Sequence, residues 1–437
     1  MERSSDIKND VYIVDGARTP FLKARGKPGA FSASDLAVAA SRELLNRYTF
    51  SPTEIDEVIL GCMMPGPEEA NIARVVALRI GCGKSVPAFT VQRNCASGMQ
   101  ALDSAFRNIS SGRSHLVLAG GTEAMSHAPL MFNDKMVNWF AGLAGAKNIN
   151  AKLSQFARFR PAFLSPVVAL LKGLTDHTVN LNMGQTAEIV AHRFNISREQ
   201  MDQFALSSHQ RSAAATDEKH FTKMIPVFSA AGEYSISDDG IRRDSTLEKL
   251  ATLKPFFDKK FGSVTAGNSS QVTDGSAMLL LASASAVKKY QLPVLAKLID
   301  VEWAGLDPAE MGLGPVYASE KLLRQQNLSA NNIDYWEINE AFAAQVLGCL
   351  AAWESEDYCR EFLGMDRAFG KVNPDRLNVD GGAIALGHPV GASGARIVLQ
   401  LAQILRRENA KKGVASICIG GGQGGAALIE NVTEVTA

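Results

Sequence analysis

The feature that most constrains this chain is an alternation of short apolar runs with longer helical patterns. Residues 11–14, 58–60 and 116–119 are apolar runs of strand length, and residues 36–45 carry the spacing of an amphipathic helix. Strands that alternate with helices along a chain favour one mixed sheet covered by helices. The alternation therefore predicts an α/β fold.

The C-terminal part of the chain repeats this pattern. Residues 332–337 (NIDYWE) are similar to residues 54–59 (EIDEVI), and residues 417–421 (ICIGG) are similar to residues 117–121 (VLAGG). Such similarity is expected of a duplicated unit. Short matches also arise between any two segments in which a strand runs into a glycine turn, so duplication and coincidence both fit these residues.

The region between the two parts has helical patterns and few strand signals, so we interpret residues 126–261 as an inserted loop domain. The halves around it are then residues 1–125 with 262–292, and residues 293–437. Within the loop domain, residues 129–178 form a basic, amphipathic insertion. It contains six basic residues, two acidic residues and six large aromatic residues, namely Lys135, Lys147, Lys152, Arg158, Arg160 and Lys172, Asp134 and Asp176, and Phe132, Trp139, Phe140, Phe156, Phe159 and Phe163.

Two interpretations of this insertion follow from its composition. Basic residues interspersed with large apolar ones are typical of helices that lie on a membrane surface or a partner protein. The uncharged run 161–171 is far shorter than the ~20 residues that a bilayer crossing needs. The alternative is a segment that covers the active site and keeps its phenylalanines in a core of its own.

Composition excludes several classes of protein. The 45 basic and 45 acidic residues cancel, so no overall charge favours a nucleic-acid partner. Six cysteines without paired zinc spacing predict neither a disulfide scaffold nor a metal site, and they favour a reducing compartment. Residues 1–9 are charged and lack the apolar run of a signal peptide. We therefore expect a cytoplasmic protein.

Cys95 is the first candidate for chemistry. It lies in residues 91–100 (VQRNCASGMQ), where a strand-like run meets a helical pattern. Unpaired backbone N–H groups and the helix dipole at that position lower the pKa of a thiol and favour the thiolate nucleophile. The alternative is a buried structural cysteine.

His388 and Cys418 each lie in a glycine-rich segment. Residues 378–396 (NVDGGAIALGHPVGASGAR) place five glycines around His388, and such glycines permit close approach of the backbone to a ligand. Residues 417–425 (ICIGGGQGG) run from Cys418 into a loop that lacks the Gly-Lys-Ser/Thr of a phosphate-binding loop, so an oxyanion hole beside a thiol fits better. Residues 337–343 (EINEAFA) put polar side chains at a strand-to-helix junction, which alone also fits a capped helix.

Together these four segments resemble the thiolase family, and the resemblance extends over nearly the whole chain. Further segments follow the order and spacing of that family: GARTPF (16–21), GGTEAMS (120–126), MGQTAE (183–188), VTAGNSS (264–270) and MGLGP (311–315). The resemblance implies the thiolase fold, with αβαβα layers built from two similar halves plus a loop domain. It also implies an acyltransferase that uses coenzyme A (CoA) as a substrate, with no permanently bound cofactor.

The resemblance further implies a role for each reactive residue. His388 takes the proton of Cys95, which attacks the keto carbonyl of a 3-ketoacyl-CoA and holds the acyl group as a thioester. Cys418 protonates the departing acetyl-CoA carbanion and later deprotonates the incoming CoA. Two oxyanion holes are implied, one from His388 with a water held by Asn339, the other from the backbone N–H groups of Cys95 and Gly420.

Contacts to CoA are also implied by the resemblance. Arg242 matches a family position near the adenine and the phosphates. Six other residues match positions along the pantetheine tunnel: Met183, Phe257, Ala266, Ser270, Met311 and Phe342. Short-chain acetoacetyl-CoA thiolases carry a histidine where this chain has Asn182, which argues against a role specific to acetoacetyl-CoA.

The resemblance thus favours a degradative 3-ketoacyl-CoA thiolase (acetyl-CoA C-acyltransferase) of fatty-acid β-oxidation. The alternatives are a biosynthetic acetoacetyl-CoA thiolase and a non-catalytic thiolase-like lipid-binding protein, which is expected to lack one of the reactive groups. The basic insertion resembles that of the thiolase subunit in fatty-acid-oxidising trifunctional complexes. We therefore expect a homodimer or a dimer-based oligomer, a complex with a hydratase/dehydrogenase subunit, and peripheral contact with the inner face of a membrane.

Overall fold

The computed structural model describes residues 9–432. The outer ends of the two predicted halves, residues 1–8 and 433–437, lie outside the described residues, and so does nearly all of the N-terminal segment considered as a signal peptide. The division into residues 1–125 with 262–292, 126–261 and 293–437 stays a prediction.

The strands are β1 (Val11–Arg18), β2 (Leu22–Lys23), β3 (Glu57–Gly61), β4 (Ala88–Val91), β5 (Leu116–Ala124), β6 (Leu130–Phe132), β7 (Pro166–Val168), β8 (Thr175–Asp176), β9 (Leu181–Asn182), β10 (Val227–Phe228), β11 (Tyr234–Ser235), β12 (Thr273–Ser283), β13 (Ala296–Gly305), β14 (Tyr335–Ile338), β15 (Lys412–Ile419) and β16 (Gln423–Glu430).

The α-helices are α1 (Ala33–Leu45), α2 (Ile72–Arg79), α3 (Ser97–Ser110), α4 (Asp134–Gly145), α5 (Ile149–Ala157), α6 (Ala169–Gly173), α7 (Met183–Arg193), α8 (Arg198–Asp217), α9 (Leu247–Ala251), α10 (Ala284–Tyr290), α11 (Gly314–Gln325), α12 (Ala343–Glu354), α13 (Glu356–Leu363), α14 (Ala383–Leu386) and α15 (Val390–Arg407).

The large sheet consists of two parts with the same strand order and directions. In the N-terminal part the order is β4-β3-β5-β12-β1, with β3 parallel to β4 and β5, and β12 antiparallel to β5 and β1. In the C-terminal part the order is β14-β15-β16-β13, and a parallel bridge from Trp336 to Leu377 takes the place that β4 has in the other half. This repetition confirms two similar halves. Antiparallel pairing of residues 11–13 with 296–298 joins them into one sheet.

Three apolar cores show how the halves pack. Helices α3 and α15 contact each other between strands of both halves and share one apolar core with them. A second core lies under α1 and α2, and a third under α11 and α12. Strands β1, β5 and β12 are buried along their whole length, and each contains an unbroken apolar run, at residues 11–14, 116–119 and 277–282. The layers confirm the predicted thiolase architecture.

Glycines allow helices α3 and α15 and strand β5 to approach one another closely. A Cβ atom on Gly98 of α3 would lie 2.8 Å from the carbonyl oxygen of Gly391 at the start of α15. A Cβ atom on Gly121 of β5 would overlap that same oxygen more severely. The spacing of β5, α3 and α15 therefore depends on the missing side chains.

The basic insertion divides into a small core and an exposed face. Trp139 is buried in edge-to-face contact with Phe140, Phe156 and Phe159, and its indole N–H donates to the carbonyl of Gln155 at 2.8 Å. Several apolar side chains nevertheless stay exposed: Leu130, Met131, Phe132, Val137, Ile149, Leu153, Phe156 and Leu164. Among residues 9–432 no helix is both long and apolar enough to cross a bilayer.

Candidate active site

Cys95 lies in a tight turn between β4 and α3. Asn94 has a φ of 43°, in the left-handed region that asparagine tolerates better than most residues. Its side-chain amide donates to the carbonyl of Gly420 at 2.7 Å, which ties the turn to the C-terminal half. Of the six cysteines, all of them among the described residues, Cys95 is the only one that is not fully buried.

The pKa of Cys95 differs from the sequence-based prediction. Burial raises the pKa of the thiol, and hydrogen bonding to the backbone N–H groups of Gly420 and of Cys95 itself lowers it only in part. Helix α3 begins two residues later, at Ser97. The expected lowering of the pKa is therefore wrong for the resting site, because the loss of solvent outweighs the nearby amides. The thiol needs a base to become a nucleophile.

His388 meets that need. It follows Gly387, whose φ is 108°, and its Nδ1 lies 2.6 Å from the hydroxyl of Ser393. That hydroxyl donates its one hydrogen to the carbonyl of Pro389 at 3.1 Å, so it accepts from Nδ1–H and leaves the lone pair on Nε2. Burial, followed by the charge of Arg396, lowers the pKa of His388 to about 3. The imidazole is neutral and can accept a proton at Nε2.

Cys418 lies near the end of β15 and is buried. Burial raises its pKa well above the usual range, and the neighbouring thiols of Cys95 and Cys349 raise it further. The strand then runs into a turn in which Gly421 and Gly422 have φ values of 91° and 74°. At rest Cys418 is a protonated thiol, which suits a proton donor.

Asn339 directly follows β14 and is fully buried. Its Oδ1 accepts from the guanidinium of Arg396 at 3.5 Å, and Arg396 forms a buried ion pair with Glu337 at 3.2 Å. Burial raises the pKa of Glu337, and the charge of Arg396 opposes that rise. Within residues 9–432, the buried Nδ2 of Asn339 and the buried Nε2 of His388 have no hydrogen-bond partner.

One cavity of about 540 Å³ brings Cys95, His388 and Cys418 together. Five of the residues predicted to contact CoA also line it, namely Met183, Phe257, Ser270, Met311 and Phe342. Gly420 lines a smaller cavity of about 180 Å³ that shares Cys95 and Met183 with the first. Asn339 does not line either cavity.

Two predicted CoA contacts lie elsewhere. Ala266 and Arg242 are exposed and line neither cavity. The backbone N–H of Arg242 donates to Nδ1 of His209 at 3.1 Å. Burial, followed by the charge of Arg242, lowers the pKa of His209 to about 4, and the same charge lowers the pKa of Lys23 after burial. Arg242 is therefore part of a surface cluster of cations.

One wall of the large cavity consists of residues that no motif in the sequence identified. Leu170, Leu171, Leu174 and Thr175, at the end of the basic insertion, line the cavity beside Cys95. Their placement agrees with the alternative interpretation of the insertion as a segment that covers the active site. No cluster of three or more His, Cys, Asp and Glu side chains in the described part of the chain is arranged to hold a metal ion.

Comparison with known proteins adds independent evidence. The family model for the thiolase N-terminal domain matches residues 11–285, and the model for the thiolase C-terminal domain matches residues 292–431. The mitochondrial trifunctional enzyme subunit beta of Bos taurus is 37% identical over 427 residues, which cover 97% of this chain and 89% of that protein. The beta-ketoadipyl-CoA thiolase of Acinetobacter baylyi is 40% identical over 429 residues, 96% of this chain and 99% of that one. The crystal structure of human mitochondrial 3-ketoacyl-CoA thiolase in complex with CoA superimposes with a TM-score of 0.82 at 37% identity, covering 98% of this chain and 99% of the human one.

Proposed function

The chain belongs to the thiolase family of acyltransferases, and on that premise we propose that it cleaves 3-ketoacyl-CoA with CoA to acetyl-CoA and a shortened acyl-CoA in fatty-acid β-oxidation. The observation that carries the proposal is the convergence of Cys95, His388 and Cys418 on one cavity. A non-catalytic lipid-binding relative has no need for all three groups.

The proposed route starts from a neutral His388 and two protonated thiols. Nε2 of His388 takes the proton of Cys95, whose sulfur attacks the 3-keto carbon; the bond between the α and β carbons breaks and leaves an acyl thioester on Cys95. The acetyl-CoA carbanion takes the proton of Cys418, and the Cys418 thiolate then deprotonates CoA. CoA attacks the thioester, and His388 returns its proton to Cys95.

Groups for stabilising the intermediates lie at the same place. The backbone N–H groups of Cys95 and Gly420 already lie within hydrogen-bonding reach of the Cys95 sulfur. For the other oxyanion, the donors are Nε2 of His388, once protonated, and a water held by the free Nδ2 of Asn339. A removed oxyanion-hole donor costs about 10²- to 10³-fold in rate.

The cavity wall favours an aliphatic acyl group. Met125, Leu170, Leu171 and Phe256 add apolar side chains to the lining of the cavity. Burying each methylene of a substrate stabilises binding by about 0.8 kcal/mol. We therefore expect thiolysis to improve with chain length until the cavity is filled.

The test is thiolysis by the purified protein across 3-ketoacyl-CoA chain lengths, with mass spectrometry of the acylated enzyme. Cys95→Ala should abolish turnover and the adduct, whereas Cys82→Ala, a buried cysteine outside the cavity, should retain both. An adduct on another cysteine or activity in Cys95→Ala would contradict the assignment.

A second candidate substrate is 3-ketoadipyl-CoA, because one relative, at 40% identity, is a beta-ketoadipyl-CoA thiolase. The same assay with 3-ketoadipyl-CoA and acetoacetyl-CoA separates the candidates. A strong preference for 3-ketoadipyl-CoA would indicate that second class, and one for acetoacetyl-CoA would indicate the biosynthetic thiolase. Absence of turnover with all substrates would favour the lipid-binding protein.

We also propose a homodimer or a dimer-based oligomer. Strand β4 lies at the edge of the sheet, where β3 is its one partner among the described strands. Unpaired strand edges readily pair with a second chain. Light scattering should give the mass of a dimer for the wild-type protein. The Phe89→Lys variant, changed at an exposed β4 position, should show a smaller fraction of dimer.

For the basic insertion we propose a contact with a hydratase/dehydrogenase subunit and with the inner, cytoplasmic face of a membrane. Its exposed apolar side chains and its six basic residues support this, since each basic residue near an anionic surface contributes about 1 kcal/mol. Flotation with anionic vesicles at low and high salt should be salt-sensitive. It should weaken when Lys147, Lys152, Arg158 and Arg160 become Gln. If neither protein floats and no β-oxidation partner co-purifies, the insertion serves the active site alone.

A further inference from the structure

We propose that Ser393 and Arg396, one turn apart on α15, are positioning residues that orient His388 and Asn339, so that a single helix aligns both side chains of the first oxyanion hole. The proposal rests on the proposed thiolase function. It concerns residues that do not line the cavity and that act through the two that carry the chemistry.

Ser393 selects the tautomer of His388. The hydroxyl has one hydrogen, and the Pro389 carbonyl receives it at 3.1 Å, so the contact of 2.6 Å with Nδ1 requires a proton on that nitrogen. The other nitrogen, Nε2, is then the base. Without the hydroxyl, Nδ1–H would lose its partner in a buried site, and the opposite tautomer, which cannot accept a proton at Nε2, would become competitive.

Arg396 selects the orientation of the Asn339 amide. A guanidinium only donates, so the amide presents Oδ1 to it at 3.5 Å and turns Nδ2 away. A flipped amide would place two donors against each other inside a fully buried site. The free Nδ2 is therefore held as a donor toward the other side.

Glu337 explains how the cation is tolerated there. Arg396, 1% exposed, and Glu337, 1% exposed, form an ion pair at 3.2 Å. A buried pair of this kind is seldom more stable than apolar side chains of similar size. Its effect on Asn339 gives the pair a function that stability alone does not supply.

The test for Ser393 uses Ser393→Ala and a matched control, Ser41→Ala. Ser41 is equally buried, lies on α1, and its hydroxyl has no partner in the described part of the chain. We expect Ser393→Ala to lower kcat about ten- to hundredfold with little change in KM, and Ser41→Ala to keep wild-type kcat. ¹⁵N NMR of histidine-labelled protein, with His388→Gln for assignment, should show a shift toward the Nε2–H tautomer in Ser393→Ala alone.

This spectrum is independent of turnover, so it separates the two proposals. Wild-type protein that performs no thiolysis but shows Nδ1–H on His388, lost in Ser393→Ala, would refute the function and retain the positioning role. An unchanged tautomer in Ser393→Ala, or an equal loss of acylation rate in the wild-type and His388→Ala backgrounds, would overturn the role of Ser393.

The test for Arg396 removes both charges, as Arg396→Met with Glu337→Gln, so that no buried charge is left alone. We expect kcat to fall about ten- to hundredfold in the wild-type background and to change no further in Asn339→Ala, as residues acting through one another are non-additive. Arg396→Lys should recover part of the loss, since it donates from a similar place. A loss of the same size in both backgrounds would show a merely structural role.

Discussion

The spacing between β5, α3 and α15 should control the rate of acylation. Gly121→Ala is the substitution that tests this dependence. A methyl group there overlaps the Gly391 carbonyl oxygen, and the two atoms must separate by about 1 Å to reach 3.0 Å. Gly391 follows His388 closely along the chain, and Gly98, on the other side of the overlap, follows Cys95. The shift therefore moves the base away from its thiol.

Misplacement of reacting groups by about 1 Å costs about 10²-fold in rate, or about 2.7 kcal/mol of transition-state stabilisation. Gly98→Ala, whose new Cβ would meet the same oxygen at 2.8 Å, should lose less. Gly305→Ala is the strand control, because the nearest atom to its new Cβ lies 4.0 Å away. Overpacking should also cost about 1–3 kcal/mol of folding stability in Gly121→Ala.

The assay is the single-turnover rate of acyl-enzyme formation, measured by mass spectrometry on protein whose fold is verified by near-ultraviolet circular dichroism. The expected order of loss is Gly121→Ala, then Gly98→Ala, then Gly305→Ala with none. A folded Gly121→Ala variant that acylates at the wild-type rate would refute the reasoning. If Gly121→Ala fails to fold, Gly98→Ala decides the matter alone.

Three further predictions concern titration and acid-base chemistry. Cys418→Ser should still acylate Cys95 but lose overall thiolysis, because a hydroxyl is a poor acid and base near neutral pH; near-normal steady-state thiolysis would exclude Cys418 from the mechanism. His388 and His209, with pKa values of about 3 and about 4, bind protons below pH ~6.5 only when unfolded, so urea unfolding should show stability falling between pH 6.5 and 4. Each histidine contributes up to about 3 kcal/mol over that range, and a slope unchanged in both His388→Gln and His209→Gln would contradict the shifts. Cys95 should be the first cysteine alkylated by iodoacetamide, since it alone of the six is partly exposed, yet its rate should keep rising above pH 8; a plateau near pH 7 would indicate a lowered pKa instead.

Local sequence motifs predicted which residues lie together at the site, but not how deeply each one is buried. The glycines around His388 and after Cys418 identify segments where the backbone must approach closely, and the structure brings both residues to the cavity with Cys95. The raised pKa of Cys95 depends on atoms from distant segments. The direction of the shift could therefore not be predicted from a helix N-terminus in the sequence. Arg242 and Ala266 matched family positions, and their side chains lie on the surface outside both cavities, so their contacts with CoA stay predictions.

The sequence also gives little information about side chains that act through another residue. Ser393 and Arg396 were part of a recognised motif, but the motif does not reveal that Ser393 contacts His388 five residues earlier or that Arg396 contacts the distant Asn339. The leucines at the end of the insertion carry no pattern that distinguishes a cavity wall from an interfacial surface.

The position of β1 in the sheet has a consequence for biosynthesis. Its residues pair with β12 across 259 to 272 positions of the chain, from Arg18 with Ala277 to Val11 with Ser283. At about 5–20 residues per second, a ribosome needs on the order of 13–55 s to deliver that partner. During this interval β1, which begins with the apolar run 11–14, has neither of its sheet partners, β12 and β13. The nascent chain therefore passes through a long stage in which the apolar residues of β1 lack the strands that cover them in the finished protein.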